Sequence, residues 1–180
     1  MLKNIVIFMT IIVATWIGHK YTVYMYTQRP VMTVAGLVYV IPEKRFVLIE
    51  RNKPPTGLAM FGGHVEAKES PEEALNREAM EELHIQLLDI QLIELHGRYG
   101  RDPRQHSIEG TYFATTYDIP YPGSDAKIVK MYTFEELENV LEQDIKFAFD
   151  HMVILQSLVN DIHACGLINC SWKSDFLTLR

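Results

Sequence analysis

Apolar and polar positions divide the chain into blocks of different period. "VMTVAGLVYVI", Val31 to Ile41, and "FVLIER", Phe46 to Arg51, are β-branched and apolar runs parted by a polar "PEK" turn, which predicts two strands. Residues 53–68 carry glycine, proline and lysine without periodicity and predict a loop. Beyond them Leu75, Ala79 and Leu83 recur at a spacing of four, the signature of a helix with one buried stripe. The start of that helix is written into "SPEE": Ser70 as the N-cap, Pro71 in the first turn, and Glu73 completing a capping box. The helix is therefore expected over Pro71–Leu83. Further strands are predicted near Leu88–His96 and Ile108–Tyr117. A Pro/Gly loop, "IPYPGSD", then leads to a strand at Lys127–Tyr132 and to helices starting near Phe134 and Phe147. Mixed strands with interspersed helices suit an α+β sandwich.

The N-terminus follows a different rule. "NIVIFMTIIVATWIG", Asn4 to Gly18, is apolar throughout and is followed by His19-Lys20 and the nearly uncharged "YTVYMYT". The abundance of Ile, Val, Thr and Tyr favours a pair of strands with "GHK" as their turn. The alternative is a membrane anchor through residues 4–27, since a span needs about 20 apolar residues and Lys20 can snorkel. No clear small-x-small cleavage site follows the run, which argues against a signal peptide. These blocks give an extension at residues 1–28, a domain at 29–160 and a tail at 161–180.

A chain of 180 residues with 48% hydrophobic and 22% charged content has enough apolar material for one ordinary core. Its net charge of −6 excludes broad electrostatic binding to nucleic acid, which requires a basic footprint. Cys165 and Cys170 are the only cysteines and are expected as free thiols in a reducing, cytoplasmic setting, with a local disulfide as the alternative if the chain is exported.

Candidate chemistry concentrates in "NREAMEELHIQ", Asn76 to Gln86. At about 3.6 residues per turn, Glu78, Glu81 and Glu82 share roughly a third of the helix circumference, where like charges repel. Either a hard divalent cation such as Mg²⁺ gathers them, or the face is simply solvated. The surrounding pattern favours the cation. Gly63, Glu69, Arg77-Glu78, Ala79, Met80, Glu81-Glu82, Leu83 and Ile85 closely resemble the Nudix box, the signature of hydrolases that act on a nucleoside diphosphate linked to another moiety. His84 departs from it, standing where the family usually has a glycine. It is expected to be a strained left-handed helix cap, a conformation glycine adopts at no cost. Phe61 stands where proline is common.

The resemblance implies a Nudix αβα sandwich with a mixed sheet. It also implies Mg²⁺ as cofactor, with Mn²⁺ able to substitute, held by Glu78, Glu81, Glu82 and the Gly62 carbonyl. Arg77 is expected to hold the Glu69 loop. The general base is either a box glutamate or one from a later loop, for which Glu109 is the nearest candidate. "RYGRDPRQH", "SDA" at Ser124 to Ala126 and "FAFDHMVIL" resemble segments of the ADP-ribose pyrophosphatase-like branch. From these, Arg98, Arg101 and Arg104 are expected to offer guanidinium forks to phosphate, and Tyr99 or Phe61 to stack on a base. The alternative for this loop is a surface turn at Asp102-Pro103 with Asp102 paired to an arginine.

The favoured activity is hydrolysis of ADP-ribose to AMP and ribose 5-phosphate. Its alternatives are a nucleoside triphosphate pyrophosphohydrolase that cleanses the nucleotide pool, and a non-catalytic nucleotide sensor on the same fold. The expected partner is a small nucleotide, and a homodimer is compatible with the chain.

Overall fold

The computed structural model describes residues 2–27, 29–51, 53–123 and 126–165. The expectations for Cys170, for the cysteine side chains and for Ser124-Asp125 fall outside the described residues. The chain divides at Pro30/Val31 into two units.

The first unit is a helix, α1, Leu2–Thr27, and this corrects the expected strand pair. β-Propensity reports how well a side chain packs on a pleated, half-buried surface. The helix satisfies its backbone groups internally, and Gly18, His19 and Lys20, expected as a turn, are helical. Its threonines add to this closure: the hydroxyls of Thr10 and Thr22 donate to the carbonyls of Val6 and Gly18, four residues back.

The second unit is built on a seven-stranded sheet. Its strands are β1 (Val31–Val40), β2 (Arg45–Arg51), β3 (Gly57–Ala59), β4 (Phe61–His64), β5 (Leu88–His96), β6 (Ser107–Thr116) and β7 (Ala126–Tyr132). β1 is central. It runs parallel to β6 over its whole length and antiparallel to β4 in its first half and to β2 at its end. β3 and β7 pair with β2, and β5 with β6.

Strand alternation divides the core in two. Val34, Val38, Val47 and Ile49 face α2 (Pro71–Leu83), whose Leu75, Ala79 and Leu83 are fully buried against them. Ala35, Leu37, Phe46 and Leu48 face the opposite layer, formed by α3 (Phe134–Glu142) and α4 (His151–Cys165). This is an α+β sandwich with helices on both faces of a mixed sheet.

Three boundaries differ from the pattern reading. The loop over 53–68 contains β3 and β4, short glycine-bearing strands that hydrophobic alternation does not mark. The last helix begins at His151, not Phe147, because Phe147 bridges Leu58 and the Ala148 N–H donates to the Leu58 carbonyl. That helix also runs through residue 160 to Cys165.

α2 is capped as its sequence predicts. Ser70 Oγ accepts from the Glu73 N–H and the Glu73 carboxylate from the Ser70 N–H. At its other end His84 adopts φ 56°, ψ 40°, the left-handed cap. The His84 ring stacks on Tyr121 with centroids 4.1 Å apart, so the side chain has a packing role beyond tolerating the cap.

Candidate active site

One cavity of about 510 Å³ brings together β1, the Gly62-Gly63 pair of β4, the acidic face of α2, the Arg101 to Glu109 segment and residues Phe149 and His151. The glycine pair explains how the acids reach it. Gly62 sits at φ 148°, a conformation that disfavours any side chain, and a Cβ there would strike the Val34 carbonyl. A Cβ on Gly63 would overlap the Glu78 carboxylate. Without those atoms the strand lies directly on α2, and the Gly62 N–H donates to Glu82 Oε2 at 3.1 Å.

The three acids occupy distinct environments. Glu82 is 2% exposed, Glu78 is mostly buried, and Glu81 lies half exposed on the pocket wall. Arg77 ties them to the preceding loop. It grips Glu69 through two bonds of 3.1 and 2.7 Å, donates to Glu78 Oε1 at 2.8 Å and donates to the His64 carbonyl at 2.9 Å. Glu69 in turn accepts from the Glu66 N–H at 2.7 Å. The hydrogen bonds between Arg77 and Glu69 hold the Glu69 carboxyl below its ordinary range and raise the Arg77 guanidinium. Arg77 faces carboxylates and a carbonyl, so it organises the loop.

The arginine loop is arranged differently from the expectation. Arg101 is not a fork held out to solvent. Its side chain is 2% exposed, and it chelates Asp150 through bonds of 3.1 and 2.7 Å while donating to Glu109 Oε1 at 2.8 Å. Burial of a guanidinium is tolerable only with such partners. Arg104 alone of the three expected arginines both lines the cavity and keeps substantial exposure, 42% of its side chain, while pairing with Asp102 at 2.8 Å. The expected Asp102 turn is therefore present together with an open arginine. Arg98 and Tyr99 are exposed but do not line the cavity; Tyr99 packs edge-on against His106.

Phe61 cannot stack on a base. It is fully buried, and its ring occupies the space left by the missing side chain of Gly36 across the β1–β4 pair. A second aromatic residue lining the cavity is Phe149, held at φ 56° just before α4, with the guanidinium carbons of Arg51 and Arg104 at 5.1 and 5.0 Å from its ring centroid.

Glu109 is 6% exposed, and His151 Nε2 lies 3.6 Å from its Oε1. His151 Nδ1 accepts from the Met60 N–H at 3.1 Å, which leaves the ring proton on Nε2, the nitrogen facing Glu109. Burial pushes the Glu109 carboxyl up, but His151 and Arg101 outweigh it and hold the group at about 2. Glu109 Oε1 is thereby engaged by Arg101 and faces His151, which makes Glu109 an anchor of that arginine. Asp150, His151, Phe149 and Arg51 carry no marker of this arrangement in their local sequence. Only the likeness of "FAFDHMVIL" to a family segment points to three of them.

For a metal, the relevant observation is the donor set. The face offers the carboxylates of Glu78, Glu81 and Glu82 beside the glycine pair, all oxygen donors suited to a hard divalent ion. Among the described residues no cluster of three or more His, Cys, Asp or Glu is already gathered at metal-binding spacing. The chemistry of the donors fits Mg²⁺ or Mn²⁺, and gathering them is work left to the ion.

Comparison with known proteins agrees with this arrangement. An ADP-ribose pyrophosphatase of Methanocaldococcus jannaschii is 31% identical over 140 residues, covering 76% of each chain. Among solved structures, the NUDIX domain of Shewanella oneidensis NrtR, complexed with ADP ribose, superposes with a TM-score of 0.63 at 21% identity, covering 73% of this chain and 88% of that one. A bifunctional NMN adenylyltransferase/ADP ribose pyrophosphatase from Francisella tularensis, complexed with AMP and a Mn ion, superposes at 0.64 with 20% identity, over 82% of this chain and 46% of that one. These two show the fold. The NUDIX domain family model matches residues 31–154, the span that holds the glycine pair, the acidic helix and the Arg101 network. With box, sandwich and family match in agreement, the chain belongs to the Nudix family of pyrophosphohydrolases.

Proposed function

We propose that the protein hydrolyses ADP-ribose to AMP and ribose 5-phosphate with Mg²⁺ as cofactor. The observation that carries this reading is the composition of the cavity: the acidic face of α2 shares one pocket with Arg104, Arg51 and Phe149. An acidic face alone serves any pyrophosphate. A cationic and aromatic wall beside it suits a substrate with a further group beyond the pyrophosphate, and a volume of about 510 Å³ falls in the range of pockets for ligands of this size. The M. jannaschii relative's name supports the same substrate.

Water attacks one phosphorus of the pyrophosphate, the bond from that phosphorus to the bridging oxygen breaks, and the bridging oxygen leaves on the other phosphate. A divalent metal held on the acidic face would supply charge neutralisation and a more acidic water. Glu78 and Glu82, one turn apart, would hold it together with the Gly62 carbonyl, leaving Glu81 alongside. Glu81, half exposed, is the box carboxylate best placed to take a proton from water, and Arg77 keeps the Glu69 loop folded against the helix. Arg104 contacts a phosphate or the terminal ribose, and Phe149 offers its ring to the base.

Rates for ADP-ribose, dGTP and oxidised dGTP, read by phosphate release with a coupled phosphatase, test the reading. ADP-ribose is expected to have the highest kcat/KM. Arg104→Ala is expected to lower it about ten- to hundredfold, the value of a charge-assisted hydrogen bond, while affecting triphosphates less. A preference for triphosphates with Arg104→Ala silent would favour nucleotide-pool cleansing.

A further inference from the structure

α1 offers a surface that a soluble protein does not leave bare. Val6–Met25 is a 20-residue helical stretch of mean hydropathy 1.4, and its large side chains are exposed, Phe8 by 65% and Trp16 by 62%. Val6, Ile7, Phe8 and Met9 are consecutive, as are Ile11, Ile12 and Val13, so every side of the helix is apolar. A helix lying in the plane of a membrane surface, or docked on a protein, needs one apolar and one polar face. An all-round apolar helix calls for an all-round apolar solvent. At 1.5 Å per residue, 20 residues reach about 30 Å, the thickness of a bilayer's hydrocarbon core.

Its polar groups are managed as that solvent requires. Thr15 Oγ1 donates to the carbonyls of Ile11 and Ile12, as Thr10 and Thr22 do to theirs, so these hydroxyls are satisfied within the helix. Lys20 lies 5.7 Å from the Trp16 ring centroid, and Tyr21 and Tyr24 follow on the next turn. Aromatic residues with a lysine near one end are the composition of a membrane–water boundary. No acidic residue occurs before Glu43, while Arg29, Lys44 and Arg45 follow the helix. With Lys3 alone on the other flank, the Lys/Arg excess lies on the domain side, which marks that side as cytoplasmic.

We propose that α1 crosses a lipid bilayer as a retained anchor, tethering the hydrolase domain to the cytoplasmic face of a membrane. This does not depend on which nucleotide the domain cleaves. The experiment is expression of the full chain, isolation of membranes and washing with alkaline carbonate, which strips peripheral proteins. The intact chain should stay in the washed membranes, and Ile12→Asp with Val13→Asp should move at least tenfold more of it to the supernatant. The melting transition of the released variant shows whether the domain is still folded. To keep the test independent of how the variant folds, the mass of the membrane-bound wild-type chain is read as well and should include residues 2–27. Protease should digest the domain only after the cells are opened. Release of the wild-type chain by carbonate would overturn the proposal, as would loss of the first segment by cleavage, or a soluble dimer that hides the helix. Digestion of the domain in intact cells would overturn its cytoplasmic placement.

Discussion

Arg77 and Arg101 each sit at the centre of an ion-pair network, and both networks line the same cavity. The partners of Arg77 lie close by in the chain: Glu69, Glu78 and the carbonyl of His64, none more than 13 residues away. Arg101 gathers Glu109 and also Asp150, 49 residues distant. Arg77 keeps a quarter of its side chain in water, while Arg101 keeps 2%. The first network folds a loop onto the helix that presents the acids. The second joins the arginine loop, β6 and the start of α4, and thereby fixes the wall opposite the acids. One arginine serves the site through local geometry, the other through the tertiary fold.

The contrast predicts a difference in stability. Arg101→Ala strips the counter-charge from two carboxylates, one of them buried, and should cost about 3–5 kcal/mol. Arg77→Ala, in a wetter setting, should cost about 1–2 kcal/mol. Urea melts of the two variants measure this, and equal costs would erase the distinction.

Acid probes the buried network directly. Glu109 is depressed from an ordinary value of 4.5 to about 2, so its stabilising contribution is complete above pH 4.5 and is lost as pH falls towards 2. That loss should be on the order of 3 kcal/mol. Asp102, also held low by Arg104 against the effect of burial, contributes in the same direction. Stability measured against pH should show this acid slope in the wild type, and Glu109→Gln should flatten it.

Catalysis should single out the acidic face that the first network presents. Glu82→Gln is expected to lose about a hundredfold or more in turnover, since even changes behind the ligands of a metal cost about ten- to hundredfold. Its melting should be little changed, because the amide oxygen can still accept from the Gly62 N–H. Wild-type turnover in this variant would detach the chemistry from the acidic face.

These differences track what was legible in the sequence. The box helix was readable from start to end because each signal is local: Ser70 and Glu73 cap it, Pro71 opens it, and Leu75, Ala79 and Leu83 set its buried face. Arg77 and Glu69 are one loop apart. Arg101 was read as a substrate fork because nothing near it announces Asp150, whose approach depends on where α4 begins. The place of Phe61 beside the glycines suggests an open ring, but Gly36 across the strand pair makes room for it in the core, and nothing near Phe61 in the chain announces that. α1 was read as strands because β-branched residues favour sheet only where there is a sheet to join.

His84 offers the smallest and most exacting comparison. Replacing a left-handed residue by glycine gains up to about 1 kcal/mol, but the stack on Tyr121 is worth about 0.5–1.5 kcal/mol. His84→Gly should therefore fall between a gain of about 0.5 and a loss of about 1.5 kcal/mol, as read by thermal melts.

The most direct test of the whole account asks which acids bind the ion, since both networks present carboxylates to one pocket. Mn²⁺ binding, followed by the loss of the free-ion electron paramagnetic resonance signal, should be seen in the wild-type protein and retained in Glu109→Gln. It should weaken at least tenfold in Glu78→Gln and in Glu82→Gln. Binding that survives both box substitutions and disappears with Glu109→Gln would contradict the assignment of the metal to the face of α2.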